Sequence, residues 1–131
     1  MTTSLAHTNL ILAWSGIVAG FTSGLLLGVG FDKEKWLGGY GSWKRRLYRL
    51  GHISFFGLAF VNFLFYFTTR GLDEMSQILW IASWAFVAGA ITMPFCCLVM
   101  AHWPKCRALF AVPVLNLICG ATLTLVEVAR A

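Results

Sequence analysis

Four stretches of this 131-residue chain, residues 1–31, 50–69, 75–104 and 108–126, contain no Asp, Glu, Lys or Arg. A helix rises about 1.5 Å per residue and the hydrocarbon layer of a bilayer is about 30 Å thick, so each stretch is long enough to cross once. The sequence therefore predicts an all-α fold: a four-helix up-and-down bundle integral to the membrane, with helices over about 8–30, 47–69, 75–102 and 107–128. Charged residues make up 11% of the chain and hydrophobic ones 59%, with a mean hydropathy of +0.76. Soluble domains carry charge on about a quarter of their residues, so that class is excluded. The four spans use most of the chain and leave room only for short loops, which makes residues 1–131 a single domain.

The first apolar stretch is expected to stay in the protein as helix 1. No Lys or Arg precedes it, and its core from Leu10 to Phe31 exceeds that of a cleavable signal. Orientation follows from the basic residues. Lys33, Lys35, Lys44, Arg45, Arg46 and Arg49 fall in the connection between helices 1 and 2, and Lys105 and Arg107 in that between helices 3 and 4. Only Arg70 and Arg130 fall on the other side. The imbalance places both termini outside and the basic loops in the cytoplasm, as in a bacterial-type inner membrane. The net charge of +5 then reports topology and contact with anionic lipid headgroups, not nucleic acid. Cys96, Cys97 and Cys119 fall inside spans and Cys106 in a cytoplasmic loop, so no disulfide is expected.

Helix 1 carries Gly16, Gly20, Gly24 and Gly28 at four-residue spacing, a side-chain-free ridge of the glycine-zipper kind. Small residues let backbones approach closely in lipid, so the ridge reads first as a helix–helix contact face; the sharper reading is a smooth wall for a flat cofactor. Asp32 to Arg49 forms the longest loop, and its Trp36, Tyr40, Trp43 and Tyr48 suit the interfacial belt. Helix 2 is rich in Phe, with Asn62 its one strongly polar residue near mid-span. Asn116 of helix 4 is placed to bond to Asn62 across helices. Pro94 should kink helix 3 or cost it one backbone bond.

Chemistry has few places to reside. Asp32, Glu34, Asp73, Glu74 and Glu127 are all terminal or in loops, which argues against an ion-coupled relay or a carboxylate-pair hydrolase. The chain reads as something other than a stand-alone enzyme. Histidine remains. His52, near the start of helix 2, and His102, at the end of helix 3, reach the same cytoplasmic depth on helices of opposite direction. Facing imidazoles on neighbouring helices are what a b-type haem needs as axial ligands, so His52 and His102 are the candidate metal ligands. Arg45, Arg46, Arg49 and Lys105 lie at the level of its propionates. The bland alternative is that each imidazole bonds to a headgroup, a carbonyl or water, and that the cations serve topology. His7 reads as a terminus residue, next to the cap-like Thr8 and Asn9.

A second constellation, Met93, Cys96, Cys97, Met100, His102 and Cys106, offers soft ligands for Cu(I). Helical spacing divides it, because His102 points away from Met100, and core filling is the commoner use of such residues. The run from Lys44 to Arg49 suits anionic lipid. Two functions are expected from these residues: a small haem b electron-transfer or respiratory-complex subunit, or a cofactor-free structural or assembly subunit of a larger membrane complex. Copper handling is a third.

Overall fold

A computed structural model describes residues 2–72 and 76–130, with side chains described from His7 onward. The expected start of helix 3 at Met75, and the acids Asp73 and Glu74, lie outside the described residues. Four helices form: α1 (Thr2–Gly28), α2 (Trp43–Arg70), α3 (Gln77–His102) and α4 (Ala111–Val128), with 3-10 turns at Trp36–Gly38 and Pro104–Phe110. Each, α4 together with its 3-10 lead-in, is long and apolar enough to span a membrane. The chain is thus an all-α, four-helix bundle of the integral-membrane kind.

Successive helices pack side by side in opposite directions. The first turns of α2 meet the end of α1 where His52 lies against Gly24, and the end of α3 where Tyr48 bonds to His102. Farther along, Phe65 of α2 stacks at a tilt on Phe86 of α3, which in turn lies against Gly120 of α4. α3 is the central helix. It packs on α2 and α4 along its length and touches α1 more lightly, while α4 rests on α3 and its own lead-in. The bundle is therefore open along the seam between α4 and α1.

Two boundaries differ from expectation. α2 begins at Trp43, not Leu47, because the hydroxyl of Ser42 accepts a bond from the Arg45 N–H at 3.1 Å and caps the helix. Lys44, Arg45, Arg46 and Arg49 consequently ride on its first two turns. Helix 4 was expected from Arg107, yet the α-helical part starts at Ala111. Trp103 leaves the helical region (φ −127°, ψ 84°) before Pro104, where helical backbone is disfavoured, and the chain turns through a 3-10 segment first. α1 starts earlier than expected, at Thr2, and ends at Gly28. α3 continues through Pro94. The missing proline N–H costs one ladder bond, and Gly51 of α2 lies opposite, where a methyl group would sit 3.3 Å from Cys97 Cβ.

The glycine ridge is a helix–helix contact face over three of its four positions. A Cβ on Gly16 would come within 3.1 Å of the Phe55 carbonyl and 3.2 Å of Ala59 Cβ; on Gly20 it would strike the Phe56 ring, and on Gly24 the His52 ring. Gly28 faces open space. α2 thus occupies the wall that a flat cofactor would have used at Gly16, Gly20 and Gly24.

A polar knot ties α1, α2 and α3 together. Asn9, Asn62 and Ser83 are all buried. Asn9 Nδ2 donates to Asn62 Oδ1 at 2.8 Å, Ser83 Oγ donates to Asn9 Oδ1, and Asn62 Nδ2 turns back to the Leu58 carbonyl at 2.8 Å. Asn62 does not bond to Asn116, which donates to the Val112 carbonyl of its own helix. The reason is architectural: α4 packs on α3, so the polar partner within reach of Asn62 is on α1. Asn62 lies eight residues, about 12 Å of helix, before the end of α2, so the knot sits toward the face opposite the basic loops.

Candidate functional site

The basic end of the bundle gathers most of the residues singled out from the sequence. Arg45, although charged, is 4% exposed. The connection between α1 and α2 wraps over it, helped by left-handed backbone at Leu37, Gly38 and Gly39. Its guanidinium lies over the rings of Phe31, Trp36 and Tyr40 at 5.6, 5.6 and 5.2 Å from the ring centres, and donates to the Phe31 carbonyl at 3.4 Å. Weakly hydrated and planar, a guanidinium is the cation best suited to such an aromatic cage. Arg49 closes over Tyr40 at 4.5 Å and Arg46 over Trp43 at 5.9 Å. Lys105 is exposed on the lead-in to α4. The three arginines therefore pack on aromatic rings of the loop and of the start of α2, and Arg45 in particular is enclosed by protein.

His52 faces α1. Its Nδ1 lies 3.0 Å from Ser23 Oγ, and Phe56 meets its ring edge-on. Ser23 Oγ also lies 3.0 Å from the Gly20 carbonyl, and both bonds are made at once when the imidazole Nδ1 is the donor in the Ser23–His52 pair. In that tautomer the hydrogen sits on Nδ1 and Nε2 is left as an acceptor. His102 is exposed at the end of α3, with Nε2 at 2.9 Å from the Tyr48 hydroxyl. The two histidines do share one end of the molecule, as the sequence implied. They serve different interfaces, His52 that of α1 with α2 and His102 that of α2 with α3.

His52 also lines a cavity of 330 Å³ together with Ser23, Trp36, Tyr48 and Phe55; His102 is not among its walls. Bis-imidazole ligation needs both rings on one iron, and the present arrangement instead gives each ring its own partner. The arrangement does not fit a bis-histidine haem. The soft-ligand constellation is similarly dispersed. Cys97 packs against Gly51 of α2, Cys96 Sγ points to the Leu109 carbonyl at 3.5 Å, and Met100 joins Leu47 and Ala101 in a small core. Among the described residues no three His, Cys, Asp or Glu side chains gather where they could hold a metal ion. His7 is exposed and lines an open groove on the outer face of α1.

Four contributors escaped the sequence reading. Asn9 was legible only as a cap-like residue near the chain start, Ser83 as an ordinary small residue in a span, and Tyr48 as a member of the interfacial belt. Ser23 carried no signal beyond lying one residue before Gly24, yet it is the partner of His52 Nδ1. Compared with protein-family models, curated proteins and solved structures, the chain matches none of them.

Proposed function

We propose that the chain is a haem-free accessory subunit that packs within a larger membrane complex and steadies it. The observation that carries this reading is the way the polar side chains are spent. Asn9, Asn62 and Ser83 lock α1 to α3 into one unit, Arg45 pins the loop, and Tyr48 with Trp43 fastens α2 to the end of α3. Each interhelical bond is worth about 1 kcal/mol in lipid, so together they stiffen a frame. Against that frame α4 is held along one side only, and Leu115, Ile118 and Leu125 form an outward apolar stripe on it. A closed bundle gives each helix two neighbours, and the open seam leaves α4 a place for a second one supplied in trans. The excess of Lys and Arg at the loop end supports both termini outside and the basic loops in the cytoplasm of a bacterial-type inner membrane.

Purification from native membranes in a mild detergent tests the proposal. The expected result is co-elution with other membrane polypeptides at a fixed ratio, with no Soret band from this chain when it is expressed alone. A partner-free monomer, or a Soret band lost on His52→Ala, would overturn it.

A further inference from the structure

The cavity beside His52 adjoins another. Phe55, Pro94 and Leu98 are walls both of it and of a second cavity of 420 Å³, lined by Leu12, Ala19 and Ile91 and running along α1 toward the opposite face. End to end, the two follow α1 from Leu27 to Leu12, fifteen residues or about 22 Å. The result is an apolar groove with Ser23, Tyr48 and His52 among the walls of one end. Such a shape matches a membrane-soluble molecule with a compact head and a hydrocarbon tail.

The head end states what it will accept. His52 Nδ1 is held by Ser23, and among the described residues none bonds to His52 Nε2. Among the described residues no enclosed side-chain nitrogen or oxygen lacks a partner, so Nε2 is one that a visiting molecule can reach. It presents a lone pair, so its partner must bring a hydrogen. No Lys, Arg, Asp or Glu lines this end, which selects an uncharged head because a charge there would be desolvated without a counter-ion. Trp36, Tyr48 and Phe55 offer flat aromatic walls, which favour a ring over an aliphatic alcohol.

We infer that the groove binds a hydroquinone with an isoprenoid or alkyl tail, its phenolic O–H donating to His52 Nε2 and its tail lying between α1 and α3. This site is independent of the accessory role proposed above, since it is complete within one chain. The same geometry distinguishes the reduced from the oxidised ligand. A hydroquinone donates to Nε2, whereas the carbonyl of a quinone would set lone pair against lone pair.

The isolated full chain in lipid nanodiscs is titrated anaerobically with a decyl-tailed benzohydroquinone, with the matching benzoquinone and with decanol, binding being read by quenching of tryptophan fluorescence. Wild type should bind the hydroquinone at least tenfold more tightly than the other two. His52→Phe, which keeps a flat ring and removes the acceptor, should abolish that preference, and Ser23→Ala, which frees the tautomer, should shrink it. Equal binding of hydroquinone and quinone by wild type would overturn the inference whatever the variants do. So would decanol binding as tightly as the hydroquinone, or an unchanged preference in a folded His52→Phe protein.

Discussion

Two asparagines of the same type, each in the body of an apolar helix, have opposite fates, and the difference can be measured. Asn62 is buried and receives the Asn9 amide, while Asn116 satisfies itself on its own helix. Replacing Asn62 with Leu leaves the Asn9 amide donor without its best acceptor in an apolar interior. A buried group stripped of its partner costs about 1–3 kcal/mol. We expect Asn62→Leu to lower the unfolding midpoint in detergent accordingly and Asn116→Leu to leave it within about 0.5 kcal/mol; equal effects would contradict the knot. The sequence marked Asn62 as a residue needing a partner, because a bare amide is costly in lipid. It could not show which partner, since that depends on which helix stands beside α2, and Asn9 was disguised by its nearness to the chain start. Arg45 has a second role that was hidden for a related reason. Its charge counted toward topology, whereas the loop that buries it acts through aromatic rings thought to belong to the membrane interface.

Helices were the most legible level. An uninterrupted apolar run in lipid has little choice but to become a spanning helix, and the four spans fall where the charges stop. Their ends were less visible, because the Ser42 cap starts α2 at Trp43, four residues before the expected Leu47, and Trp103 gives way to a 3-10 turn at Pro104. The glycine spacing foretold a contact face correctly but not its extent. Gly16 faces backbone of α2, which cannot step aside, whereas Gly28 faces nothing. Gly16→Leu should therefore force α1 from α2 and cost about 1–3 kcal/mol of stability, the usual penalty for overpacking. Gly28→Leu should be neutral or stabilising by up to about 1 kcal/mol through helix propensity. Thermal unfolding of both variants in one detergent checks the contrast, and a similar loss at both positions would contradict the contact face.

At the scale of the whole molecule, antiparallel order followed from short loops, and His52 and His102 did arrive at one end. Their sharing of an end was legible; their division between two interfaces was not, because it turns on the rotation of each helix about its axis. Nor did the charge pattern reveal that the bundle stays open beside α4, since an apolar stripe reads the same whether lipid or protein covers it. The account makes that stripe a subunit contact. A photoreactive residue placed singly at Leu115, Ile118 or Leu125 in native membranes tests it most directly, with Phe21 on the outer face of α1 as the comparison. We predict that all three α4 positions cross-link to one and the same membrane polypeptide, and more strongly than Phe21. Cross-linking of the α4 stripe to lipid alone would contradict the account.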